Sequence, residues 1–294
     1  MKIFDCTTYF EEDLMMDIRF NVLNEYVDKF IVCEANYSHS GLKKKINFDL
    51  NNFPKFKDKI IHLVVEDEPK DIINDNKSNT SVARSNSIKR INLQRNFIKN
   101  GLRDANEEDF IIYSDNDEIP DLSKVNIKNI KEKVIIFKQK IFYYKLNLLY
   151  PRIDWFGSKC CKLKNLKNIT TLRETKPKKY NILRLDIYFS DLKHNSIKII
   201  NDGGWHFSNL KKPEDLLKKY LNDEMHSEFE LRNIDLNEIN RLVNEKKINY
   251  DHLANSSSNI LDKQSNEFNL IETKVDLLPK YIIDNREKFN NWIV

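Results

Sequence analysis

Four short apolar runs that break off into acids constrain this chain more than any other feature. Residues 2–6, 30–35, 60–65 and 110–113 are rich in Ile, Val and Phe and too short for helices. The first leads through Thr7-Thr8-Tyr9-Phe10 to Glu11-Glu12-Asp13, and the second reaches Glu34 before its last residue. The third ends at Glu66-Asp67-Glu68-Pro69 and the fourth at Ser114-Asp115-Asn116-Asp117-Glu118-Ile119-Pro120. Buried strands that share a polar end read as a parallel sheet. Between them, Leu14, Ile18, Val22 and Tyr26 recur at helical spacing behind acids in the first turn. A second helix is expected over residues 84–104, with Ile88, Ile91, Ile98 and Leu102 on one face. The expected fold class is α/β, a Rossmann-like, mostly parallel sheet with flanking helices. In such a sheet the ligand crevice lies beyond the carboxyl ends of the strands.

That rule gives the acids of the fourth run their chemistry. Asp115 and Asp117 form an Asp-X-Asp pair of hard oxygen ligands, suited to a Mg²⁺ or Mn²⁺ that also holds a diphosphate. A solvated acidic turn is the plainer reading of the same spacing. A second cluster follows a later apolar run, residues 197–200, as Asn201-Asp202-Gly203-Gly204-Trp205-His206-Phe207-Ser208. Only five glycines occur in 294 residues, so an adjacent pair stands out as a place where backbone approaches a ligand or takes positive φ. His206, just beyond it, is placed to complete a metal site. On the second helix Arg84 and Arg95 fall on the apolar face and need anionic partners, either strand-end carboxylates or a ligand phosphate. Trp155-Phe156-Gly157-Ser158 reads as a turn whose aromatics are core or a wall for a sugar ring.

Composition narrows the partners. Charged residues make up 32% and apolar ones 40%, an ordinary soluble balance, and the net charge of +4 gives no reason to expect nucleic acid. Cys6, Cys33, Cys160 and Cys161 have no C-x-x-C spacing, which points to buried free thiols in a reducing compartment and so to the cytoplasm. No apolar run is long enough to span a bilayer, leaving peripheral membrane association as the only kind expected. Residues 70–83 read as a mobile loop, 164–185 as a basic irregular surface segment, and 213–232 and 236–247 as helices. Residues 1–232 are expected to form the catalytic domain, with 233–294 a helical C-terminal extension packed on it.

Taken together these residues resemble glycosyltransferase family 17. The resemblance is carried by Arg19 and Leu23, Val32-Cys33-Glu34-Ala35-Asn36, Ser38-His39-Ser40-Gly41 and Gln94-Arg95-Asn96. It continues through Ser114-Asp115-Asn116-Asp117-Glu118-Ile119-Pro120, Gly203-Gly204-Trp205-His206-Phe207-Ser208, His226-Ser227-Glu228 and Leu278-Pro279. It implies an A-type glycosyltransferase fold and an inverting, metal-dependent transfer from a UDP-sugar, UDP-GlcNAc before others. Asp115 and Asp117 match the metal-binding acids, His206 a metal or diphosphate contact, and Arg95 a helix arginine facing the diphosphate. The glycoprotein-modifying members carry a membrane anchor and stem that this sequence does not show. The acceptor expected is therefore a glycan, surface polysaccharide or lipid-linked glycan.

The candidates for holding the nucleotide are Thr7, Glu34, Arg95, Ser114, Asp115, Gly203, Gly204 and Trp205, and those for the metal are Asp115, Asp117 and His206. An inverting transfer also needs a carboxylate base opposite the leaving group. Glu118, Asp202 and Glu228 are the candidates, with Asp202 favoured by its place beside the glycine pair. Two rival readings remain open on the same residues: a non-catalytic nucleotide-sugar or carbohydrate-binding protein, and a metal-dependent phosphodiesterase or nucleotidyltransferase.

Overall fold

A computed structural model describes residues 1–74, 80–224, 226, 229, 234–254 and 260–294. The apolar runs become β1 (Ile3–Tyr9), β2 (Lys29–Ala35), β3 (Ile60–Val65) and β4 (Phe110–Ser114), all parallel and in the order β3-β2-β1-β4. Alternate residues serve opposite faces. Phe30 and Val32 join one core cluster, with Phe20 and Leu23 of α1 (Asp13–Leu23). Ile31 and Cys33 join another, under α2 (Thr80–Phe97) and the 3₁₀ turn Ile98–Leu102 that extends it. All four cysteines are free and buried.

The buried side of α1 differs from the expected one. Met15, Met16, Ile18, Arg19, Phe20 and Leu23 face inward, while Tyr26 is exposed. The cause is Arg19, which an apolar pattern assigns to solvent. It is fully buried, donates to both carboxylate oxygens of Asp5 at 2.6 and 2.7 Å, and gives a third hydrogen bond, 2.7 Å, to the Glu118 carbonyl. A buried guanidinium is tolerable only when paired in this way, and the pairing ties α1 to the corner where the acids lie.

Beyond β4 the sheet stops being parallel. β7 (Leu148–Lys162) runs antiparallel to β4, and β6 (Val134–Tyr143) antiparallel to β7. β9 (Gly204–Ser208) follows parallel to β6, β5 (Glu118–Pro120) lies antiparallel at the edge, and β8 (Ile197–Ile200) also pairs with β6. The turn expected at 155–158 is the middle of β7. Gly157 is needed there because a Cβ would lie 1.9 Å from Gln139 Oε1 and 2.9 Å from Glu118 Cδ. The segment read as irregular contains α3 (Ile169–Glu174), capped by Asn168, whose side chain accepts from the Thr171 N–H. The expected loop over 70–83 ends where α2 begins at Thr80, and residues 75–79 lie outside the described residues.

C-terminal to α4 (Pro213–Tyr220), the chain is mixed and not simply helical. The helix Leu236–Asn244 is followed by a hairpin of β10 (Lys247–Ile248) with β11 (Phe268–Asn269), and β12 (Ile271–Glu272) adds to β7. Ile239, Ile248 and Leu270 share a core with Tyr143, Tyr144 and Tyr150 of the β6–β7 region. This part of the chain therefore closes over the carboxyl end of the sheet.

Candidate active site

The chain leaves β4 at Ser114 and turns through Asp115-Asn116-Asp117 into β5, the Glu118 N–H donating to the Asp115 carbonyl at 3.1 Å. Antiparallel pairing of β5 with β9 sets His206 opposite Glu118, and the Phe207 N–H donates to the Asp117 carbonyl at 2.8 Å. A cavity of about 400 Å³ opens here, lined among others by Arg95, Asp115, Asp117, Glu118 and His206.

Asp115 is fully engaged. Its Oδ1 accepts from Arg95 at 3.0 Å and from the Tyr113 hydroxyl at 2.9 Å, and its Oδ2 from Arg173 Nε at 2.8 Å with the same guanidinium's Nη2 at 2.7 Å. Burial alone would raise its pKa, but Arg173 and Arg95 hold it well below the usual carboxylate range. A carboxylate offers about four lone pairs, and these contacts use them. Of the expected metal trio, Asp115 stands here at the centre of an arginine clamp. Arg95, expected against the diphosphate, spends its guanidinium on the same clamp, and Arg84 pairs with Glu224 at 3.1 Å.

Asp117 meets a different neighbour. Its Oδ2 lies 3.3 Å from His206 Nε2. Burial works against charge on both, but the attraction between them wins, lowering the Asp117 pKa and raising that of His206. His206 packs against Trp155, ring centres 5.2 Å apart, and its Nδ1 is buried with no hydrogen-bond partner among the described residues. No group of three His, Cys, Asp or Glu side chains among the described residues is gathered to hold a metal by itself. Asp117 and His206 are a two-member set.

Other expected site residues lie elsewhere. The Asp202 side chain is 66% exposed and 3.4 Å from Lys140 Nζ, in a groove with Trp205 and Leu277 and not in the Asp117 cavity. Trp205 donates to the Leu277 carbonyl at 2.6 Å. The glycine pair lies close against backbone: Gly204 has φ +134° and a Cβ there would lie 2.1 Å from the Ile119 carbonyl oxygen, while one on Gly203 would press on the Ile200 carbonyl at 2.7 Å. Thr7 and Ser114 are buried in neighbouring strands, the Ser114 hydroxyl donating to Ser158 at 2.7 Å.

The two remaining acids of the expected set are also accounted for. Glu34 is buried and binds Lys44 together with the N–H groups of Asn47 and Phe48, so it anchors the loop after β2. Glu118 lines the cavity, yet Oε1 accepts from Trp155 at 2.6 Å and Oε2 from the Asp115 N–H at 3.1 Å. Its role is to brace the turn. Glu228 lies outside the described residues.

Further residues stand at or beside the cavity. Arg173 comes from α3, which the Asn168 cap could have announced. Lys159, buried in β7, holds that helix by donating to the carbonyls of Arg173 and Thr175. His39 and Asp223 approach each other across the mouth, Nδ1 to Oδ1 3.8 Å. An aromatic wall is made by Tyr143, Trp155, Tyr220, Tyr250 and His252, with the Tyr143 hydroxyl 2.5 Å from His252 Nε2. Burial pushes the His252 pKa down to about 4, leaving its ring neutral at physiological pH.

A cavity with convergent polar groups at the carboxyl end of an open α/β sheet marks an enzyme-type site. Its family follows from sequence comparison: the model of glycosyltransferase family 17 matches residues 1–175, more than half of the chain, and the chain belongs to that family. Membership makes it a glycosyltransferase and implies a nucleotide-sugar donor and a sugar acceptor. The matched span includes Asp115, Asp117 and Arg173, and it ends before His206. No curated protein matches the sequence.

Among solved structures, HddC from Yersinia pseudotuberculosis is 11% identical, covering 74% of this chain and 97% of its own, with a TM-score of 0.34. A putative glucose-1-phosphate thymidylyltransferase from Bacillus anthracis is 12% identical over 70% of this chain and 88% of its own, TM-score 0.35. The inositol-1-phosphate CTP transferase from T. maritima is 10% identical over 78% and 97%, TM-score 0.36. At these scores the likenesses decide nothing. Among the described residues no helix is long and apolar enough to cross a membrane.

Proposed function

We propose that this chain is a metal-dependent, inverting glycosyltransferase of the A-type fold that moves a sugar, GlcNAc from UDP-GlcNAc before others, onto a glycan or lipid-linked hydroxyl. The observation that carries this is the Asp117–His206 pair in the cavity of a family 17 chain. The pair would hold a hard divalent ion such as Mn²⁺ or Mg²⁺, of the kind that binds diphosphates. Oδ2 and Nε2 stand 3.3 Å apart, close enough for Asp117 and His206 to hold one ion between them. Bound there, the ion would offset charge on the departing diphosphate. The Arg95–Asp115–Arg173 clamp stiffens the turn that presents Asp117.

Among the described residues six acids line the cavity, and their commitments rank them as bases. Asp115 and Glu118 are engaged as described, and Asp117 faces His206. Glu12 accepts from the N–H groups of Phe10 and Glu11, and Glu224 is paired with Arg84. Asp223 Oδ1 accepts from the Glu224 N–H at 2.7 Å, leaving Oδ2 without a partner among the described residues. We therefore assign the base to Asp223. Its Oδ2 takes the acceptor's hydroxyl proton as the acceptor oxygen bonds the anomeric carbon. The bond from that carbon to the diphosphate breaks, its electron pair leaving with UDP.

The test is incubation with UDP-GlcNAc and Mn²⁺, following UDP release and product configuration. Wild-type release of UMP or pyrophosphate, or no turnover with any nucleotide sugar, would overturn the reading. Asp223→Asn should lose roughly 10² to 10⁴ in turnover, keep donor affinity by calorimetry, and recover donor turnover with azide, a nucleophile that carries no proton to remove. Turnover near wild type, or lost donor binding, would remove Asp223 from this role.

A further inference from the structure

Residues 176–194 form a loop tied at its base. The Lys176 N–H donates to the Leu192 carbonyl at 2.8 Å and the Tyr180 N–H to the His194 carbonyl at 3.0 Å, and Lys179 bridges to His194. Further out, a 3₁₀ turn spans Leu185–Ile187, and the Tyr188 hydroxyl donates to the Ile182 carbonyl at 3.0 Å. A loop with this much internal bonding would ordinarily turn its apolar groups inward. Here Ile182 is 59% exposed, Leu183 84%, Leu185 76%, Tyr188 63% and Phe189 90%. Scattered single apolar residues on a surface need no explanation, but five large ones within eight positions do.

Charge indicates what covers them. The loop carries Lys176, Lys178, Lys179, Arg184 and Lys193 against Asp186 and Asp191, five cations to two acids. Arg184 and Lys193 share Asp186 at 2.8 and 2.7 Å, so basic groups flank the apolar tip. Exposed aliphatic and aromatic side chains set among Lys and Arg are the makings of an interfacial anchor for a negatively charged bilayer. A stable protein partner engages about 20 to 30 residues a side, more than this tip offers.

We propose that residues 176–194 dock the enzyme on an anionic lipid surface, with Leu183, Leu185 and Phe189 entering the boundary between headgroups and acyl chains. The lysines and arginine meet the headgroup phosphates. The loop follows directly on α3, so docking sets the Arg173 flank of the site near the membrane. This assignment does not depend on which donor or acceptor the enzyme uses.

The experiment is co-sedimentation of the full chain with vesicles of phosphatidylcholine plus phosphatidylglycerol, and with phosphatidylcholine alone. The wild type should bind the anionic vesicles, more weakly as salt rises, and bind the neutral ones poorly. The double variant Leu183→Ser/Phe189→Ser should bind the anionic vesicles at least about tenfold more weakly with an unchanged melting temperature, because both side chains already lie in solvent. No vesicle binding by the wild type, equal binding to both compositions, or equal binding by the variant would overturn the proposal. So would a wild-type dimer, seen by light scattering, that the double variant converts to a monomer without any vesicle binding.

Discussion

Asp115 and Asp117 leave one strand two residues apart and meet opposite surroundings. Asp115 turns toward α2 and α3 and is enclosed by Arg95, Arg173 and Tyr113. Asp117 turns toward β9 and faces a single imidazole. The first arrangement has two cations competing for one anion, which suits holding a backbone in place. The second has one anion and one weakly basic ring, a pair that exchanges partners readily when a stronger cation arrives. The difference lies in what the neighbouring elements bring, not in the acids themselves.

Substitution at the two positions should separate the roles. Asp117→Ala is expected to lower turnover with UDP-GlcNAc at least about a thousandfold, with a melting temperature within about 3 °C of wild type. A variant retaining a tenth of wild-type turnover at saturating Mn²⁺ would break the comparison at its catalytic end. Asp115→Ala should act first on stability, because it leaves Arg95 and Arg173 facing each other with only Glu118 nearby. A loss of about 3 kcal/mol in urea unfolding is expected. If the two alanine variants unfold at the same urea concentration, the clamp is not structural.

Lys159 sharpens the clamp side through pH. Burial, with Arg173 close by, holds its pKa down to about 7. The unfolded lysine titrates near about 10.4, so between those values the unfolded state binds the extra proton and stability rises with pH. From pH 7 to pH 9 wild type should gain about 2 kcal/mol relative to Lys159→Met, read from urea midpoints at the two pH values. Equal pH dependence in the two proteins would mean that the amine is solvated in the folded state. The smallest effect belongs to Asp202→Asn, whose turnover should stay within about twofold of wild type. A tenfold fall would return that residue to the site.

The parallel half was legible because β1, β2 and β4 are buried on both faces and every strand of it reads as a short, mostly apolar run. Arg95, Asp115, Asp117, Glu118 and His206 could likewise be brought to one place, since strand ends and a strand-flanked histidine carry local signals. What defeated the reading were long-range pairings. Arg19 was invisible as a core residue because its partner Asp5 and the Glu118 carbonyl lie on other elements. The glycine pair signalled a close approach, and the group that lies against Gly204 is the Ile119 backbone, on another element. β7 looked like two pieces because Pro151 and Gly157 punctuate a strand whose neighbours tolerate both. Arg173 sits in a polar stretch with no periodicity, where only a short cap signal at Asn168 was available, and Asp223 falls in the run 213–232 that reads as helix although α4 ends at Tyr220.

Much of one side of the cavity's apolar wall comes from beyond residue 233, with Ile239, Leu242, Ile248, Tyr250 and His252 all contributed by that stretch. The described acids and arginines of the cavity, Asp223 and Glu224 included, all come from before residue 225. Chemistry and part of the choosiness thus have separate genetic addresses. Grafting the last sixty or so residues from another member of the family should redirect which molecule is modified while the bond-making step is inherited unchanged.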